Sequence, residues 1–171
     1  MGDENDYTVT RCAPGNLTDV ERARCIEILK DGEAVDIDTT KEELPHSVAL
    51  VLARRGDGIV GVGTIKRARG WYAAKISRHS GFTVLADTPE LGYVAVTKGH
   101  RDKHLSSRIF DALLTSHDGP LFATTDDAKM KHLLEKGGFA KKGNEWPGQR
   151  GMLSQWQKAP TRPKSTESHR G

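Results

Sequence analysis

The chain has 171 residues, 36% of them apolar and 29% charged, a balance that suits one globular domain with its own core and excludes a disordered chain. Its 26 basic and 23 acidic residues leave a net charge of +3, too mild to argue for nucleic acid. No apolar run approaches the roughly 20 residues of a membrane helix, Met1–Asp6 is acidic and polar rather than signal-like, and Cys12 and Cys25 lack metal-ligand spacing and read as reduced thiols of a cytoplasmic protein.

Tyr7–Arg11 alternates in polarity and reads as a short strand, broken by Pro14, Gly15 and Asn16. Thr18 and Glu21 have capping-box spacing, and Leu17, Val20, Ile28 and Leu29 supply an apolar face for a helix that Gly32 closes. Asp36–Glu43 is polar with room for a short helical turn. Two apolar runs, His46–Arg54 and Ile59–Lys66, flank Arg55-Gly56-Asp57-Gly58 and read as a β-hairpin. Gly61 and Gly63 weaken the second strand and point to a close backbone approach. Gly70–Pro89 is the least regular stretch, with a short helix expected around Trp71–Arg78. Glu90–Val96 reads as a strong strand. His104–Ser116 follows as a helix with Leu105, Ile109, Phe110, Leu113 and Leu114 on one face. Pro120–Thr124 is a strand, and Thr125 is placed to cap a helix that ends at Gly137-Gly138. Phe139–Lys142 and Met152–Gln157 are the last strands, joined by a linker rich in glycine. Ala159–Gly171 is rich in basic residues, proline and serine and reads as a flexible basic tail on a single domain spanning residues 1–158. Long strand runs at one end with strand–helix alternation at the other indicate a mixed α/β fold, a mixed sheet covered by helices.

The segment Glu90–Ile109 carries the chemistry. Its strand leads into Arg101-Asp102-Lys103-His104-Leu105-Ser106, which opens the next helix. Free amides at a helix start, aided by the helix dipole, can hold a pyrophosphate, with Arg101 and Lys103 adding charge at the mouth. An ordinary solvated βα turn accounts for the loop alone equally well. His100 and His104 are four apart but straddle the loop with no third ligand, so no metal site is expected. Trp71, Trp146 and Trp156 read as packing or lid residues, and Lys129, Lys131 and Lys136 as a solvated helix face.

This segment resembles motif A of the GNAT superfamily of acetyl-CoA-dependent N-acetyltransferases, a strand, a loop of form Arg/Gln-x-x-Gly-x-Gly/Ala and an amphipathic helix; His104 and Ser106 fill the two small positions. Asp127-Ala-Lys-Met130-Lys-His-Leu-Leu134-Glu-Lys-Gly-Gly138-Phe139 is similar to motif B, with Asp127 in the Asn place, Met130 in the Ala place and Gly138-Phe139 intact. The strands Leu121–Thr124 and Met152–Gln157 fall where family members have them, and together the resemblance covers most of Tyr7–Lys158. The resemblance implies a central, mostly antiparallel sheet flanked by helices, with a splayed strand pair for acetyl-CoA. Val94 and Val96 would present backbone groups to the pantetheine arm. The amides of Arg101, Lys103, His104, Leu105, Ser106 and Ser107 would meet the pyrophosphate, with Asp127 at the cofactor side.

The implied reaction is direct attack of a primary amine on the thioester in a ternary complex, with no metal. Glu90 is the candidate general base, because an amine at neutral pH must lose a proton before it attacks. Edge solvation of a strand-opening carboxylate is the plainer account of the same residue. Leu134 stands where the family usually has a proton-donating tyrosine, so that role is vacant; Tyr72, Tyr93 or solvent could fill it, and Tyr72 is also a candidate substrate-binding residue. Two alternatives are carried: a degenerate coenzyme A-binding or regulatory module, and an acetyltransferase for a nucleic-acid-linked amine such as aminoacyl-tRNA. The acceptor is an amine of unread class, neither nucleic acid nor membrane is an expected partner, and the oligomeric state is open, a homodimer among the options.

Overall fold

The structure is a computed structural model that describes residues 6–32, 36–101 and 104–160. In chain order the elements are strand β1 (Tyr7–Cys12), helices α1 (Asp19–Gly32) and α2 (Ile37–Glu43), strands β2 (Ala49–Arg55) and β3 (Gly58–Lys66), helix α3 (Gly70–Ser80), strand β4 (Glu90–Val96), helix α4 (Leu105–Thr115), strand β5 (Leu121–Thr125), helix α5 (Ala128–Lys136) and strands β6 (Ala140–Pro147) and β7 (Met152–Lys158). They form one seven-stranded sheet in the order β1-β2-β3-β4-β5-β7-β6. Every neighbouring pair is antiparallel except β4 and β5, which run parallel. The sequence expectation of a mixed, mostly antiparallel sheet flanked by helices is met.

Local chemistry accounts for most boundaries. The capping box forms as spaced: the Glu21 amide donates to Thr18 Oγ1 and the Thr18 amide to Glu21 Oε1, each at 3.0 Å. The β2–β3 turn uses Gly56 at φ +60°, and helix α3 stops where Gly81 enters the left-handed region at φ +76°. Gly61 and Gly63 do mark a close approach. A Cβ on Gly63 would stand 2.3 Å from Ile109 Cγ2, and one on Gly61 would stand 2.9 Å from Ile109 Cδ1. Helix α4 is therefore seated directly on the β3 backbone.

Three sequence expectations are corrected. Val20 is 79% exposed and adds nothing to the apolar face of α1, which Cys25, Ile28 and Leu29 supply. Asp127, not Thr125, caps α5: its Oδ2 accepts from the Met130 amide at 3.0 Å, while Thr125 closes β5 and accepts from the Asp127 amide through Oγ1. Strand β6 runs on to Pro147 through the expected linker, with a register irregularity between Lys142 and Trp146 that absorbs Gly143 at φ +75°. A Cβ on Gly143 would stand 2.4 Å from the Ser80 carbonyl oxygen, so this glycine admits the end of α3.

The core lies on both faces of the sheet. Helix α4 buries Leu105, Ile109, Phe110 and Leu113 against Val51, Ala53, Ile65, Leu91 and Leu121, and Leu134 of α5 joins them. Leu50, Leu52 and Val62 point the other way, as strand alternation requires, and pack under α1. Phe122 alternates with Leu121 and Ala123, so α3, which packs on Phe122 through Ala73 and Ile76, lies on the same face as α1. Trp146 and Trp156 are packing residues, whereas Trp71 stays 66% exposed. Among the described residues no helix is long and apolar enough to cross a membrane. The expected tail falls largely outside the described residues, at 161–171.

Candidate coenzyme and acceptor cleft

Strands β4 and β5 meet at the register pair Glu90↔Phe122, and beyond it a cleft opens between them. Its inner part holds about 330 Å³ and is lined by Lys66, Tyr72, Glu90, Gly92, Tyr93 and Val94 on one side and Ala123–Asp127 on the other. Two further hollows of about 470 and 600 Å³ lead from it along the start of α4, past Arg101, Ser106 and Ser107. Val94 and Asp127 line all three, which makes them one trough of a size that holds an extended cofactor.

The trough's β4 wall offers backbone groups. The Thr97 amide donates to the Val60 carbonyl on the β3 side. Peptide groups alternate in direction along a strand, so those of Val94 and Val96 face the trough. The Val96 carbonyl indeed accepts from Arg101 Nε at 2.8 Å, which folds the arginine along the trough's edge. Helix α4 then starts at the trough, with His104, Ser106 and Ser107 in its lining. Leu105 is fully buried in the core and does not line the trough. Ser106 and Ser107 line the outer hollow, Asp127 spends its carboxylate on the α5 cap, and Lys103 lies outside the described residues.

His104 is the N-cap of α4 at φ +58°, ψ +21°, the sole residue other than glycine at positive φ among those described. The glycine conformation of the motif is kept although the glycine is not. A side chain there costs about 1–2 kcal/mol, partly offset by the lower backbone entropy that glycine would lose. His104→Gly is therefore expected to stabilise the fold by about 0.5–1 kcal/mol, read as a higher urea midpoint at unchanged slope. A lower midpoint would show that the imidazole holds the loop.

At the inner end, Glu90 is 6% exposed. Its Oε1 accepts from Arg69 Nη2 at 3.0 Å, and Lys66 Nζ stands 3.9 Å away. Arg69 packs its guanidinium over the rings of Tyr72 and Trp71, at 4.5 and 5.3 Å from their centroids. The Tyr72 hydroxyl is pushed up to about 12, by burial first and by the Glu90 charge second, so it is a neutral donor at physiological pH. Tyr93 shares its hydroxyl with Thr40 Oγ1 at 3.3 Å, and its ring lies under Lys66. Leu134 is fully buried beside Phe110 and Phe139, so the motif B tyrosine position lies in the core of this chain. His100 belongs to no metal-ligand cluster among the described residues, and its Nδ1 stands 2.7 Å from the Tyr7 hydroxyl.

Of the residues singled out from the sequence, Tyr72, Glu90 and Val94 line the inner cleft, and Val94, Arg101 and Ser106 line the hollow beside it; three neighbours were not singled out. Arg69 and Lys66 belong to a basic run, Lys66–Arg69, whose ion partner is a strand away. Arg150, in the β6–β7 turn, reaches across to Asp126 with Nη2–Oδ1 at 3.0 Å and Nε–Oδ2 at 3.3 Å, closing one side of the trough. The basic run was the one available signal, since a charge pair made across the sheet leaves none.

No family model matches the sequence, and no curated protein matches it either. Solved structures do match in shape. A GNAT-family acetyltransferase from Streptococcus agalactiae superposes with a TM-score of 0.68 at 10% identity, covering 90% of this chain and 96% of the other. An acyl-CoA N-acyltransferase from Pseudomonas aeruginosa gives 0.64 at 13% identity, covering 90% and 99%. A GNAT-family acetyltransferase from Elizabethkingia anophelis with acetyl-CoA bound gives 0.57 at 11% identity, covering 91% and 99%. The chain thus has the fold of the GNAT acetyltransferases.

Proposed function

We propose that the protein is an acetyl-CoA-dependent N-acetyltransferase acting on a primary amine. The observation that carries this reading is the parting of β4 and β5 beside the start of α4, with the backbone of Val94 and Val96 turned into the gap and Arg101 at its edge. Acetyl-CoA would supply an activated acyl group, offering the thioester carbon to the amine nitrogen for C–N bond formation and a thiolate as leaving group, and solvent would supply the proton for that thiolate. The chain's residues fit it: the β4 backbone toward the pantetheine arm, and the amides of His104, Ser106 and Ser107 with Arg101 toward the pyrophosphate. Glu90 receives the proton of the nitrogen, and because Arg69 occupies Oε1, that proton goes to Oε2. A cytoplasmic setting belongs to the same reading and accords with free Cys12 and Cys25.

Calorimetric titration with acetyl-CoA tests the claim. Saturable binding is expected, weakened at least about tenfold by Arg101→Glu, which replaces an ionic hydrogen-bond donor by a repelling charge. Absence of saturable binding would refute the reading. The burial of Leu134 favours a second reading, in which the cofactor is bound without transfer. Thiol release with an amine panel separates the two, because only the first reading yields free coenzyme A in proportion to amine.

A further inference from the structure

The inner cleft contains a cation that the reaction above does not use. The Lys66 side chain is only 15% exposed. Its Nζ nevertheless stands 3.9 Å from Glu90 Oε1, beyond hydrogen-bond length, and 4.1 Å from the centroid of the Tyr93 ring. Glu90 is satisfied by Arg69 instead, at 3.0 Å. Two cations therefore share one carboxylate, and Lys66 is the one without a close acceptor. The other acids of the cleft are committed elsewhere. Asp126 is clamped by Arg150, Asp127 caps α5, and Asp36 accepts from the Asp38 amide and the Thr39 hydroxyl.

The backbone makes room for this lysine. A Cβ on Gly92 would stand 2.8 Å from Lys66 Cγ and 2.9 Å from its Cε. Strand β4 is thus notched where the lysine stem crosses it on the way to the cleft. A largely buried ammonium with donors unspent is costly unless an anion completes it.

We propose that Lys66 binds a carboxylate of the acceptor, and that the acceptor is a small amine with that carboxylate close to its nitrogen, as in an α-amino acid. Lys66 Nζ and Glu90 stand side by side, so a carboxylate held on the first brings the adjacent amine to the second. The inference rests on the acetyl-transfer reading, since it names the substrate class of that same cleft.

The test is calorimetric titration of the common amino acids against their amides, which differ in the carboxylate alone, with and without coenzyme A present. The wild-type chain is expected to bind the acid member of its preferred pair about tenfold tighter than the amide. Lys66→Met should abolish that preference and Lys66→Arg should retain it, with circular dichroism showing both variants folded. Equal affinity for acid and amide, a preference that survives Lys66→Met, or binding of neither member would each overturn the proposal. Acetyl-CoA titrated into the same preparations reads the transfer claim separately: lost cofactor binding would refute that claim while leaving the carboxylate preference measured.

Discussion

Replacing Glu90 by glutamine is expected to lower kcat for acetyl transfer about 10²–10⁴-fold while leaving the dissociation constant of acetyl-CoA unchanged. The change is close to isosteric, and the amide oxygen can still accept from Arg69, so the pairing at 3.0 Å and the packing of Arg69 over Tyr72 and Trp71 persist. What disappears is a group that can take the amine's proton. The proposed cofactor contacts lie along Val94, Val96 and the start of α4, on residues that the substitution does not touch. The loss should also depend on pH. As pH rises toward the ordinary value of an alkyl amine, about 10, the acceptor sheds its own proton and the variant's deficit should narrow. Steady-state rates across pH, with calorimetry for the cofactor, measure both effects. An undiminished kcat would reduce Glu90 to the counter-ion of Arg69.

Much of this arrangement was legible in the sequence, and the reason differs by element. Strand β4 was read with its observed ends, Glu90 and Val96, because a run of small and apolar residues between Pro89 and Thr97 permits little else. Helix α4 was read from five apolar side chains at helical spacing, of which the fold buries four and leaves Leu114 partly buried. The turn into α4 was readable from charge and position, whereas the positive φ of His104 was not, since histidine gives no warning of it as glycine would. The inner cleft was the least legible part. Its residues come from β3, the N-terminal end of α3, β4 and β5, and they meet only through sheet order and register. Arg69 in particular is an unremarkable residue at the end of a basic run until β4 places Glu90 against it. The extent of β6 was missed for a related reason. Gly143 looks like a turn former, but its role is to let β6 pass the end of α3.

Helix α3 carries Tyr72 to the inner cleft, the proposed acceptor side, so what fastens it should be felt in function as well as stability. Gln155 of β7 is fully buried and is the fastening. Its Nε2 donates to Ser80 Oγ at 2.7 Å and to the Phe82 carbonyl at 3.0 Å, and its Oε1 accepts from Gln157 Nε2 at 2.6 Å. Ser80 closes α3 and Phe82 begins the segment after it, so one side chain ties the helix's end to the sheet. Gln155→Ala removes these bonds and leaves a cavity, at an expected cost of about 3–5 kcal/mol. Gln155→Met keeps the volume and isolates the polar share, about 1–3 kcal/mol. Urea unfolding of both variants gives the two figures. Arg69 and Tyr72 sit at the opposite end of α3, and a helix freed at one end pivots about its packing. Gln155→Met, which should still fold, is therefore expected to raise KM for the acceptor while the acetyl-CoA dissociation constant holds, since α4 packs on the other face of the sheet. A KM that stays put alongside a lowered midpoint would confine Gln155 to stability and make the α3 helix rigid enough to hold Arg69 by its own contacts.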